Sequence, residues 1–355
     1  MRHPVGRTFE PGWRMGDVVA ETRPFYTLTY TQCFRAVQPF RGALRRVEVR
    51  RVIPMVEADP SDSVDLPIFQ RAVAGHASMP RDLTPRLLGV FGQEGRAHAM
   101  VLEHIEGISL HDVVRWLHDL GEGLPVSIAM AVARTLVRMW ERAGSTRPEV
   151  RLHDVILVPT GHVRARAVLR KERYGGSATG FFEDTEYMRY YSRAHMMGAR
   201  RPSEPHKLGA LLYEMLVGHL PVRDEARTFS ELLYLVMDGD PFPPIRTLRA
   251  ELPVAAAAIV DRAVARDPRD GFATWPQLAH ALEALPSSAA PMGPDELAAW
   301  LRSLPAELRH TTPLAEPSAR DDWQALPCLP YEPIALPRRE MAREASREAS
   351  REKVE

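Results

Sequence analysis

Two periodicities divide this chain, and their order limits what it can fold into. From Phe25 to about Glu103 the pattern is that of strands. RRVEVRRVIPMV runs through Val47, Val49 and Val52 between charged neighbours, as a half-buried strand does, and AHAMVLEHIEG is a second strand candidate closed by Gly107. Between them DLPIFQRAVAGHA predicts one short helix, with Asp65 as its cap, Pro67 in the first turn and Phe69, Ala72 and Val73 on one face.

After Glu103 helical signals take over. SLHD at 109–112 has the form of a capping box, followed by Val113, Val114 and Leu117 at helical spacing. PVSIAMAVARTLVRMWERAG predicts a long amphipathic helix ending at Gly144. Ser203 is placed to cap EPHKLGALLYEMLVG, which stops at Gly218. TFSE at 228–231 and TWPQ at 274–277 are two further capping boxes, and VAAAAIVDRAVARDP between them is expected to stay helical until Pro268. A strand-rich part followed by a larger helical part is an α+β arrangement. Beyond about Pro286, PMGPDELAAWLRSLPAEL predicts a short helix with Leu297, Trp300, Leu301 and Leu304 on one side. The Pro-rich and charge-mixed sequence that follows reads as extended or solvated.

Composition narrows the function classes. Formal net charge is +0, so no global field draws the chain to nucleic acid or to an anionic membrane. Cys33 and Cys328 are too few and too far apart for a disulfide framework or a zinc site. No apolar run reaches the roughly 18 residues of a membrane span, and MRHPVGRTFEPGWRMGD lacks a signal peptide's apolar core, so a cytoplasmic location is expected. Asparagine is absent throughout, and lysine occurs only at Lys171, Lys207 and Lys353. A mechanism that needs an asparagine ligand cannot run here.

Three segments carry a resemblance in matching order and spacing. MVLEHIEGISLHDVV looks like the hinge and first large-lobe helix of bacterial serine/threonine protein kinases. SEPHKLGALLYEMLVGHLPV is similar to their buried central helix, and DRAVARDPRDGFATWPQLAHALEAL resembles their last two helices. The resemblance covers about residues 25–286. It implies a bilobal fold with a small strand-rich lobe at 25–103 and a large helical lobe at 104–286. An N-terminal extension, 1–24, and a Pro-rich, charged tail, 287–355, flank it.

The resemblance also supplies a parts list, because phosphoryl transfer rests on holding phosphates and metal ions and on placing the acceptor hydroxyl. The glycine-rich loop is expected near TLTYTQCFRAV, 27–37, yet no glycine occurs between Gly16 and Gly42. The strand lysine and its glutamate partner match Arg50 and Ala72. An arginine fork does not substitute for an ammonium point charge. Glu48 stands where the family keeps a small residue against adenine, and a carboxylate there is costly to desolvate. Met100, Glu103 and His104 take the remaining cleft and hinge positions.

The catalytic aspartate matches Val150, the metal-binding asparagine Val155, and the Asp-Phe-Gly aspartate Ala167. None of these can accept a proton or offer magnesium a hard oxygen. An ion pair that closes the family's large lobe is lost on both sides, at Tyr191 and Gly271. His153 and Asp154 lie about four residues too late for the catalytic pair and read more simply as a turn.

The resemblance therefore implies a pseudokinase: a protein-binding scaffold or regulator with no catalytic, nucleotide or metal site and no cofactor. Its expected partners are proteins, an active kinase among them, and neither nucleic acid nor membrane. Trp300 and Trp323 are candidate partner anchors, and Ser177, Thr179 and Thr185 candidate phosphorylation sites. The alternatives are a divergent ATP-dependent kinase, with relocated His153, Asp154 and Glu172, or a nucleotide sensor without turnover. Either would bring ATP, and the kinase magnesium as well.

Overall fold

The computed structural model describes residues 14–22, 29–40, 43–54, 73, 76, 79–92, 98–143, 150–166, 189–193, 204–221, 226, 229–238 and 242–309. Strands β1 (Arg14–Thr22), β2 (Thr29–Phe40), β3 (Ala43–Pro54), β4 (Leu87–Gly92) and β5 (His98–Glu103) form one sheet in the order β1-β2-β3-β5-β4. Every neighbouring pair in it is antiparallel. The stretch expected to hold a glycine-rich loop is instead strand from Thr29 onward, and its Thr, Tyr, Phe and Val content suits a pleated surface. The sheet also reaches into the expected N-terminal extension through β1. The connection between β1 and β2 falls at 23–28, RPFYTL, where glycine is again absent.

A three-stranded sheet follows in the order β6-β7-β8, built from β6 (Ile108–Ser109), β7 (Val155–Leu157) and β8 (Val163–Ala165). The described helices are α1 (Leu110–Asp119), α2 (Val126–Ala143), α3 (Glu204–Val217), α4 (Phe229–Asp238), α5 (Val254–Ala263), α6 (Trp275–Glu283), α7 (Pro294–Ser303) and α8 (Ala306–Arg309). The chain is thus an α+β protein, with the strand-then-helix order that its periodicities predict.

Helix α1 buries the expected Val113, Val114 and Leu117, together with Leu110. Its capping box does not form: Ser109 makes no side-chain cap bond, and its buried Oγ has no hydrogen-bond partner among the described residues. Strand pairing of Ser109 with Ile156 fixes its backbone instead. The TWPQ cap does form, with Thr274 Oγ1 accepting from the Gln277 amide at 3.4 Å and Gln277 Oε1 accepting from the Ala273 amide at 2.9 Å.

Helix α3 is buried on all sides from Leu208 to Tyr213, as a helix apolar all round must be. It ends at Gly218, whose φ of +92° favours glycine and whose amide donates to the Glu214 carbonyl. Helix α5 stops at Ala263 rather than continuing to Pro268, because ARDPRDG forms turns in which Asp267 accepts from the Arg269 amide. Trp140 of α2 stacks on Trp275 of α6 at 4.6 Å, inside a core shared by α1, α2, α3, α5 and α6.

That core does not end at Pro286. Helix α7 adds Leu297 and Leu301, followed by Leu304, all buried. Two backbone features hold it in place. The Met292 amide donates to the Ser127 carbonyl at 2.9 Å, and Gly161, with φ +76°, lies so close to the Pro294 carbonyl that any side chain there would collide with it. The helix predicted at 65–77 lies outside the described residues except for Val73 and His76, both buried. The expected Ser203 cap, the Thr228 cap and the Gly144 terminus are also outside them.

Candidate functional site

Strand β8 is short, yet its alternation sets the chemistry of the seam between sheet and helices. Val163 and Ala165 point into the helical core. Arg164, between them, and Arg166, just beyond, therefore share the opposite face. From that face both reach carboxylates of the five-stranded sheet. Arg164 Nη2 donates to Glu103 Oε2 at 3.1 Å and to the Thr84 carbonyl at 2.7 Å. Arg166 Nε stands 3.5 Å from Glu48 Oε2.

The two acidic partners lie on adjacent strands one register step apart, Val47 being opposite Glu103 and Glu48 opposite Leu102, so strand alternation assigns them to opposite faces of the sheet. Glu48 is only 3 % exposed. A buried carboxylate is tolerable when a cation faces it, and Arg166 supplies that cation. Burial pushes the Glu103 carboxyl up, but hydrogen bonds from Arg164 and the Arg86 amide outweigh this and hold it below the ordinary carboxylate range. The backbone reinforces the seam: the Ala165 amide donates to the Leu83 carbonyl at 2.8 Å. Asp82, one residue earlier, accepts from Arg142 at the end of α2 at 2.7 Å.

Sequence reasoning singled out Glu48 and Glu103 but missed Arg164 and Arg166. Their signal was the VRARA pattern, in which charged residues alternate with small apolar ones along a strand. Met100 is buried on β5, in register with Arg50 of β3, and His104 is half-buried.

The positions matched to catalytic and metal-binding groups are built of hydrocarbon. Val150 is buried and Val155 fully so, both inside the helical core. His153 and Asp154 belong to a single 3-10 turn, Leu152–Asp154. The Asp154 carboxylate is buried and accepts from the Arg151 backbone amide at 3.0 Å and from Arg151 Nε at 3.2 Å. It thus closes its own turn, in keeping with the turn reading of the pair. His153 stacks on His111 of α1 with ring centroids 3.6 Å apart. Burial, together with the neighbouring His111 and Arg151, lowers its pKa, so the imidazole is neutral at pH 7.

Tyr191, matched to one side of the lost ion pair, carries Lys207 Nζ 4.5 Å above its ring. Trp300, a candidate partner anchor that the helical pattern puts on one side with Leu297 and Leu301, is half-buried and packs on the helical core. Ala72, Ala167, Glu172, Ser177, Thr179, Thr185 and Trp323 lie outside the described residues. Among the described residues no group of three His, Cys, Asp or Glu side chains is placed to hold a metal ion, and no helix is long and apolar enough to cross a membrane. No protein-family model matches the chain, and no curated protein matches it.

Proposed function

We propose that this chain is a protein-kinase-shaped binding protein, a scaffold or regulator of other proteins, that does not transfer phosphoryl groups. The observation that carries the reading is the pair Val150 and Val155, buried in hydrocarbon at the two positions where the resemblance calls for a base and a metal ligand. Neither can orient a hydroxyl or coordinate a cation. The buried Glu48, ion-paired with Arg166, adds to it, because an adenine ring at that place would have to desolvate or displace the pair.

The order of strands and helices supports a bilobal kinase-like body, and α4 is a surface on which a protein partner could rest. Its Leu232 and Val236 are buried, while Tyr234 is 65 % exposed on the outer side. Aromatic side chains of this kind serve as anchors in protein interfaces.

Thermal unfolding with and without ATP plus magnesium or manganese tests the proposal. A nucleotide at 100 times its dissociation constant would stabilise the fold by about 2.7 kcal/mol. The expected result is no metal-dependent shift and no radiolabel transfer to any acceptor protein. A shift with transfer would identify a divergent kinase, and a shift without transfer a nucleotide sensor; either overturns the proposal.

A further inference from the structure

We infer that Glu48–Arg166 and Glu103–Arg164 form a two-rung ionic latch that holds the five-stranded sheet against the helical body. The inference rests on the reading above only in treating this seam as the former nucleotide cleft.

Each rung has one end on each side of the seam. Glu48 lies on β3 and Glu103 at the end of β5, whereas Arg164 lies on β8 and Arg166 just beyond it, with Val163 and Ala165 anchored in the helical core. The arginines are two residues apart on one strand face, and the carboxylates occupy neighbouring strands one register step apart. The two carboxylates therefore belong to opposite faces of the sheet, and each is met across the seam by its own arginine. The Arg166–Glu48 rung is shielded, with side-chain exposure of 21 % and 4 %, whereas in the Arg164–Glu103 rung the carboxylate is 37 % exposed. Shielded pairs are screened by salt much less than surface pairs.

Arg164 also ties the connection that leads into β4, donating to the Thr84 carbonyl. The sheet is thereby fastened at its inner strands β3 and β5 and at the segment entering β4. Where two bodies are joined by a bound ligand, their closure depends on that ligand. Here the chain's own guanidinium groups make a link across the seam.

Hydrogen exchange on the full chain tests the latch, read at the seam peptides containing Ala165 and Glu103 and at the α2 and α3 peptides as internal reference. Arg164→Gln/Arg166→Gln is expected to speed exchange at the seam by about 10-fold or more while α2 and α3 stay within about twofold. Arg166→Gln alone, which leaves the Thr84 contact intact, is expected to give a smaller rise confined to the same peptides, and it serves if the double variant does not fold. Exchanging the charges, with Glu48→Lys and Arg166→Glu together, should bring the seam back toward the wild-type rate relative to either substitution alone. The latch is overturned if Arg166→Gln leaves the seam unchanged, if exchange rises equally across the chain, or if the charge-exchanged protein is no slower than its single variants. Nucleotide binding is scored separately, so a failed latch and a failed functional reading leave different signatures.

Discussion

Cutting the chain after Pro286, where the resemblance ends, should remove part of its core. The lost segment carries Leu297, Leu301 and Leu304, exposed by only 1 %, 3 % and 4 %. Burial of a leucine side chain stabilises by roughly 2 kcal/mol, so the three together contribute about 6 kcal/mol, an upper estimate because an unfolded chain already hides some of this area. Whole domains are stable by only about 5–15 kcal/mol. A chain cut after Arg309 keeps every one of these contacts and is the control. The assay is urea unfolding followed by tryptophan fluorescence, with the stacked Trp140 and Trp275 as core reporters. With a slope near 3 kcal/mol/M, the chain ending at 286 should melt about 2 M earlier than the full chain, or fail to fold, while the chain ending at 309 should match it. Leu301→Ala in the full chain should cost about 2–5 kcal/mol. A chain ending at 286 that unfolds at the full-length midpoint, with Leu301→Ala costing less than about 1 kcal/mol, would refute the view that α7 is structural.

Two further outcomes follow from the seam and the histidine pair. In a double-mutant cycle, Arg166→Leu leaves Glu48 buried without this cation and should cost about 3–5 kcal/mol, whereas Glu48→Leu/Arg166→Leu should be near neutral. Urea melts that find the two substitutions additive would contradict the pairing. His153 has a folded pKa below its unfolded value, so its stabilising contribution is complete above the unfolded pKa and is lost as pH falls through the folded one. Wild type should therefore lose more stability than His153→Gln between pH 7 and pH 5 in paired melts. Equal losses would mean that the stack on His111 does not oppose protonation.

Much of the site was legible as residue types. Val150 and Val155 cannot do acid–base or metal work wherever they are placed, so their chemical consequence was available from the sequence. Their depth in the core was not. Glu48 was legible as a problem, a carboxylate in a strand that alternates valines, but its solution was invisible, because Arg166 lies more than a hundred residues further along the chain. The Ser109 capping box failed for a related reason. The local pattern was right for a cap, but strand pairing to Ile156 decided the backbone there. The boundary at Pro286 came from where the resemblance stops, which has no bearing on where burial stops.

Alone, the sequence determined the α+β order, the buried faces of α1 and α7 and the absence of an asparagine ligand. All of these follow from side-chain chemistry and from periods of two or about 3.6 residues, which a short window contains. Tertiary structure decided which charges meet across the seam, that α7 completes the helical core, and that Asp154 closes its own turn. The first two are contacts between segments far apart in the chain, and the third depends on a turn whose neighbours bury it. Their energies depend on distance and shielding in three dimensions, quantities that no local pattern encodes.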